Sequence, residues 1–311
     1  MIVVAGLTPA WQQILRFTKL ELGEVNRAAE VLRCASGKVL NVCLALAALE
    51  AEARTICPVG GPAREPFADE FSSLSASVEW ITTSGSTRLC TTLLDEATGT
   101  TTELVENAEP LTEEELRAYR TAYMIAAASA RTAVFTGSLP AGVAASFYRD
   151  LADLTPCRIV ADVRGPELTE LLAGPTKPFL VKPNREELAN TIGGPLDSDD
   201  QLHAAMREIN RCGAEWIVVT QGKDAVWASS RDAGLWRFTP PRAAKVVNPI
   251  GCGDCLCAGI AAGLDRHADV LNSIALGIAA ANDNLRSLLP ARLDAAGVAK
   301  LAASIKPERV D

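Results

Sequence analysis

The sequence predicts an α/β protein: a mostly parallel central sheet flanked by helices, with a small β-sheet lid. Short, almost continuously apolar runs recur at residues 2–5, 54–59, 133–136, 158–162, 179–182 and 216–220, as in strands covered on both faces. Helical patterns lie between them, and strands alternating with helices imply a parallel sheet wound by right-handed crossovers. Two stretches, 11–35 and 85–107, interrupt this rhythm: they alternate polar and apolar residues, are rich in Thr and show no helical period.

Local signals justify the elements in turn. Val39, Val42, Cys43, Leu46 and Leu49 recur at three- and four-residue steps and give one apolar helical stripe. Residues 87–94 and 100–106, joined across 95–99, read as a hairpin within the lid. Thr112 with Glu115 forms a capping box, and Leu111 and Leu116 stand where a hydrophobic staple would join. Near the C-terminus, Pro249 is expected to end a strand, and an apolar helical run over 255–264 follows a glycine-rich turn. No internal repeat and no Pro-, Gly- or Ser-rich linker divides the chain, so one domain carrying its lid is expected.

Composition narrows the function. The 311 residues are 48% apolar and 22% charged, and the 30 basic against 38 acidic residues leave a formal charge of −8. That balance argues against a nucleic-acid footprint, and no apolar run reaches membrane-spanning length. The first residues lack the pattern of a signal peptide, so a cytoplasmic location is expected. The nine cysteines are odd in number and read as reduced, mostly buried thiols; Cys252, Cys255 and Cys257 lack a second Cys-x-x-Cys to complete a metal site.

The chemistry concentrates at four turns. Gly251 and Gly253 flank Cys252 and lead into a helix, whose free amides and positive dipole end suit an anion. Asp254 sits in the first turn of that helix, an acid beside an anion cradle, as phosphoryl transfer requires. Lys182, Asn184 and Glu187 follow a strand: the Lys can meet a phosphate, the Asn can orient water or metal, and the Glu can hold Mg²⁺ through water. Ser138 follows another strand and offers a hydroxyl, and Gly37, Lys38 and Asn41 open a helix with a cation and an amide. Neither a P-loop nor a dinucleotide fingerprint is present.

Together these segments resemble the PfkB sugar kinases of the ribokinase-like fold. Residues 248–254 are similar to that family's C-terminal signature in the form found in 1-phosphofructokinases and tagatose-6-phosphate kinases, and 36–41 to its N-terminal one. Residues 23–27, 87–88, 137–140 and 182–187 match the same phosphosugar branch. The resemblance implies ATP as phosphoryl donor, Mg²⁺, and a phosphorylated ketose as acceptor: fructose 1-phosphate, fructose 6-phosphate or tagatose 6-phosphate. It implies that Asp254 is the base and that Gly251, Cys252 and Gly253 form the anion hole. Asn184 and Glu187 would organise Mg²⁺ and phosphate. Lys182, Thr220 and Gly222 align with nucleotide-phosphate contacts, and Asn282 with the adenine site. Gly37, Lys38, Asn41, Arg88 and Ser138 align with sugar-phosphate contacts. Gln12 stands where the family carries an Asp that holds sugar hydroxyls, Val39 where it carries a glycine beside the sugar, and Ala225 where it carries another near the nucleotide. A homodimer through the lid is expected. The alternatives are a kinase of an unphosphorylated sugar or nucleoside, and a non-catalytic sugar-phosphate-binding homologue.

Overall fold

The structure is a computed structural model that describes residues 1–243 and 245–310. The strands are β1 (Ile2–Ala5), β2 (Ala10–Phe17), β3 (Glu30–Ser36), β4 (Ala53–Gly60), β5 (Ser77–Thr83), β6 (Leu89–Asp95) and β7 (Thr100–Val105). They continue as β8 (Thr132–Thr136), β9 (Arg158–Asp162), β10 (Leu180–Val181), β11 (Trp216–Val219), β12 (Val226–Ser230), β13 (Gly234–Phe238) and β14 (Pro307–Arg309). The helices are α1 (Lys38–Ala48), α2 (Arg64–Ser72), α3 (Glu113–Ala127), α4 (Phe147–Ala152) and α5 (Gly165–Ala173), then α6 (Arg185–Ile192), α7 (Asp199–Arg211), α8 (Cys252–Asp265), α9 (Val270–Asn284) and α10 (Ala295–Ser304).

A 10-stranded sheet runs β14-β13-β12-β11-β10-β9-β8-β1-β4-β5, and every neighbouring pair from β11 to β5 is parallel. From β1 the chain first builds outward through β4 and β5, then returns to build the other way through β8. Strand order therefore reverses beside β1, and ligand crevices in such sheets open at the carboxyl ends of the strands at that reversal. Alternation along the strands divides the core in two. Ile2 and Val4 pack with α1, α8 and α9, whereas Val3 and Ala5 pack with α3, α4 and α5 on the opposite face.

The interrupting stretches form a separate 4-stranded sheet, β3-β2-β6-β7, with the hairpin β6–β7 antiparallel as read from the sequence. The capping box at Thr112 is present, with Glu115 N donating to Thr112 Oγ1 at 3.2 Å and Thr112 N donating to Glu115 Oε2 at 2.7 Å. One expectation fails: among the described residues no strand runs up to Pro249. Residues 245–250 are irregular, and Val246, the apolar residue that suggested a strand, is exposed. Asn248 holds this segment instead, its amide donating to Leu288 O and its carbonyl accepting from Ile250 N.

Helices α8 and α9 meet backbone to backbone. A Cβ placed on Gly259 would lie 2.6 Å from Gly277 Cα, and one on Gly277 would lie 2.5 Å from Leu256 O. Only glycine permits that approach, and overpacking a tight contact costs about 1–3 kcal/mol. Gly259→Ala is expected to lower stability by about that amount in thermal or urea unfolding, whereas Gly194→Ala, at a site with open space, should change it by under about 0.5 kcal/mol.

Candidate active site

A crevice of about 1480 Å³ opens at the carboxyl ends of the strands, and the small sheet forms one of its walls. It brings together the residues given a catalytic or binding role from the sequence: Gln12, Gly37, Lys38, Asn41, Arg88, Ser138, Lys182, Asn184, Glu187, Thr220, Gly222, Gly251, Cys252, Gly253, Asp254 and Asn282 line it. Val39 and Ala225, the other departures from the family pattern, do not line it: Val39 is buried in the core against Gly6, and Ala225 packs half-buried against the core on the opposite face of the sheet, so both are matters of packing.

Gly251 caps α8 at φ 87°, and a Cβ there would stand 2.9 Å from Pro290 Cβ, so the turn needs glycine. In the first turn of α8, the amides of Gly253 and Asp254 donate to no backbone acceptor among the described residues. They face the crevice as an anion cradle. Asp254 is buried, and its Oδ2 accepts from Asn41 Nδ2 at 2.7 Å, while Asn41 Oδ1 accepts from Ser36 Oγ at 3.0 Å. The chain Ser36–Asn41–Asp254 fixes the carboxylate and leaves Oδ1 available. Cys252 contributes no thiolate: burial pushes its thiol up to about 11, and its sulfur accepts from Asn284 Nδ2 at 3.3 Å.

The residue that sequence reasoning missed is Asp162, the last of β9. Its carboxylate is 2% exposed and takes Lys182 Nζ at 3.2 Å on Oδ1 and Lys38 Nζ at 3.3 Å on Oδ2. Burial pushes this carboxyl up, but the two ammonium groups outweigh burial and hold it below the ordinary range. Burial opposes the charge on Lys38 as well, yet Asp162, Asp254 and Glu187 together raise its pKa. Asp254 is displaced the other way, up to about 6, by burial, with Lys38 pulling down and Asp162 pushing up. The signal for Asp162 in the sequence is slight: a carboxylate closing an apolar strand.

Asn184 and Glu187 first build α6. Asn184 Oδ1 accepts from Glu187 N at 2.8 Å, and Glu187 Oε2 accepts from Asn184 N at 3.0 Å, a second capping box. Glu187 Oε1 lies 3.4 Å from Arg164 Nη1 and 3.9 Å from Lys38 Nζ. Among the described residues no group of three or more His, Cys, Asp or Glu is placed to hold a metal. This donor set fits Mg²⁺ carried on substrate phosphates and met by one carboxylate through water, the habit of that ion. Asn282 anchors the loop at the far end, Nδ2 donating to Pro241 O at 2.6 Å. At the lid, Arg88 donates to the backbone carbonyls of Thr8 (3.1 Å), Pro9 (3.4 Å) and Glu106 (3.3 Å), tying the lid to the edge of the crevice. An N–H on each of its Nη atoms remains for an anion. Ser138 is held by Thr8, whose Oγ1 donates to Ser138 O at 3.2 Å.

Solved structures share this architecture. A possible 1-phosphofructokinase from Thermotoga maritima superimposes with a TM-score of 0.91 at 20% identity, covering 100% of this chain and 99% of that one. Escherichia coli phosphofructokinase-2, solved with fructose-6-phosphate, gives 0.86 at 24%, covering 97% and 98%. Arabidopsis thaliana ribokinase, solved with ribose and ATP, gives 0.75 at 18% over the same shares. The fold is thus ribokinase-like, an α/β sheet with a second small sheet beside it. The sequence matches the pfkB family of carbohydrate kinases over residues 1–287, and the chain belongs to that family. It is an ATP-dependent sugar kinase.

The charge arrangement sets a measurable titration. Asp254 should titrate near pH 6 in a carboxyl-carbon NMR experiment. Asp162→Asn removes a neighbouring negative charge and should move that midpoint to lower pH. The same substitution leaves the buried Lys182 without its counterion and should lower stability by about 3–5 kcal/mol.

Proposed function

We propose that the chain transfers a phosphoryl group from ATP to a hydroxyl of a phosphorylated ketose, giving a sugar bisphosphate and ADP. Fructose 1-phosphate, fructose 6-phosphate and tagatose 6-phosphate are the acceptors to test. The observation that carries this reading is the placement of Asp254: a buried carboxylate, held by Asn41, beside unpartnered amides of α8 and in one crevice with Lys38, Arg88 and Ser138. Single-ligand pockets run to about 300–1,000 Å³, so a crevice of about 1480 Å³ is large enough for nucleotide and sugar together. Phosphofructokinase-2, a structural neighbour, carries fructose-6-phosphate.

The proposed roles draw on the geometry of the crevice. Asp254 accepts the proton of the acceptor hydroxyl at Oδ1 while Asn41 keeps Oδ2 in place. In the anion hole expected from Gly251, Cys252 and Gly253, the Cys252 amide is spent on Pro249 O at 3.3 Å, so the amides of Gly251 and Gly253, joined by that of Asp254, meet the charge that builds on the transferring group. Lys182, balanced by Asp162, and the turn at Thr220 and Gly222 hold the nucleotide phosphates, and Asn282 keeps the loop at the adenine end in position. Mg²⁺, met by Glu187 through water, would neutralise charge on those phosphates. The remaining N–H groups of Arg88, with Ser138 and Lys38, bind the sugar's own phosphate. A homodimer closed through the outer face of the lid is part of the same reading; Val31 and Leu104 stand exposed on the lid face turned from the crevice.

A second reading, a kinase of an unphosphorylated sugar, draws on two observations. Arg88 is already engaged with three carbonyls, and an acidic side chain, Glu103, lines the same end of the crevice.

ADP release measured across phosphorylated and plain sugars separates the two; a plain sugar as the better substrate overturns the first. On the best substrate, Asp254→Asn should lower kcat by roughly 10²–10⁴-fold with ATP affinity little changed. Arg88→Ala should raise KM for the sugar phosphate by roughly 10- to 150-fold, the scale of hydrogen bonds to charged groups, at unchanged KM for ATP.

A further inference from the structure

The lid wall contains an acid that the roles above leave unused. Glu103 lies on β7 directly opposite Thr92 of β6, and Gln12 lies on β2 opposite Cys90. Gln12, Thr92 and Glu103 form a hydrogen-bonded row across three strands. Gln12 Nε2 donates to Thr92 Oγ1 at 2.7 Å, and Thr92 Oγ1 donates to Glu103 Oε1 at 3.2 Å. Gln12 and Thr92 are buried, whereas Glu103 is exposed at the mouth, and both Gln12 and Glu103 line the crevice.

The row has a direction. Gln12 spends one amide N–H on Thr92, which fixes the side chain and leaves its carbonyl and its second N–H for a ligand. Thr92 uses its hydroxyl proton on Glu103. An ionised carboxylate accepts and cannot donate. At its outer end this wall therefore presents an acceptor, the Glu103 carboxylate, while Arg88 at the same end of the crevice, and Lys38 and Ser138, present donors. A sugar phosphate has both kinds of group: hydroxyls, which can donate, and a phosphate, which only accepts. The hydroxyls match the wall of Gln12 and Glu103, and a carboxylate binds a hydroxyl more strongly than an amide does. A phosphate set against Glu103 would be repelled.

We infer that Glu103 is a specificity-determining residue that binds hydroxyls of the acceptor sugar. Thr92 and Gln12 hold its carboxylate, and it supplies from β7 the negative charge that β2 lacks at position 12. For the identity of the sugar the inference rests on the reading above, but the role of Glu103 does not depend on whether that sugar carries a phosphate.

The test uses the full-length enzyme, ATP, and fructose 1-phosphate, fructose 6-phosphate, tagatose 6-phosphate, fructose and ribose as probes. Glu103→Gln keeps the shape, removes the charge, and lies at an exposed site, so it should unfold at the wild-type temperature. On whichever probe the wild-type enzyme uses best, it should raise the sugar KM by roughly tenfold or more at unchanged KM for ATP. Thr92→Val leaves the carboxylate but frees it, and should raise the sugar KM a few-fold with kcat nearly unchanged. Calorimetric binding of the same probes reads the same shift where turnover is slow. If wild-type enzyme uses only plain sugars, the ketose-phosphate reading falls, and the Glu103 comparison proceeds on the plain sugar. An unchanged sugar KM in Glu103→Gln overturns the inference. So does a lower one, which would make Glu103 a repulsive neighbour of a bound phosphate.

Discussion

Asp162 ends β9 with a carboxylate almost wholly out of water, and Lys38 and Lys182 meet it from two other elements. A lone carboxylate at that depth is costly, and two ammonium groups within hydrogen-bonding range offset the cost only in a narrow geometry. The first residue of α1, the end of β9 and the residue after β10 are thereby held in one arrangement. The same charges act on Asp254, where Lys38 restrains the upward displacement that burial imposes. A change at Asp162 is thus felt by both lysines and by the Asp254 carboxylate in the same crevice.

The crevice has a polar gradient built from different layers of the fold. Its floor, at the strand ends, carries backbone amides of α8 and the balanced lysines. The small sheet supplies the other side, where Arg88 braces the lid through backbone carbonyls and the row from Gln12 to Glu103 ends in a carboxylate at the crevice. The division follows from alternation: on a strand crossing the crevice mouth, every second side chain faces the ligand and its neighbours face away. One face of the lid can therefore change its ligand chemistry while the other keeps its packing, as Trp11 does in stacking on Phe67 at 5.4 Å between ring centroids.

Much of this arrangement was legible in the sequence, and the exceptions have physical reasons. Strands buried on both faces announce themselves as apolar runs, so β1, β4, β8, β9 and β11 were visible. Strand β12 is buried along its length but made partly of Ala and Ser, and β13 and β14 lie toward the sheet edge with mixed exposure; none has the apolar run that marks the others. The segment before Pro249, where Val246 suggests a strand, is irregular and held by the side chain of Asn248. The glycine turns and capping boxes are local, and a short window contains their whole meaning. Asp162 and Glu103 are not local. Asp162 gains its significance from Lys38, 124 residues away in the chain. Glu103 gains its own from the pairing of β7 with β6, which decides what the crevice face of the lid presents.

The glycine contact between α8 and α9 has a mechanical consequence. Two helices touching through backbone atoms have no side chains between them to slide or repack, and close-packed interiors resist such shifts. Helix α8 carries Asp254 and the free amides of its first turn, so these groups belong to a helix seated backbone to backbone on its neighbour. They behave as a fixed anvil. Any adjustment to the size of a bound sugar is then left to the opposite side, to a four-stranded sheet tied to the crevice edge through Arg88.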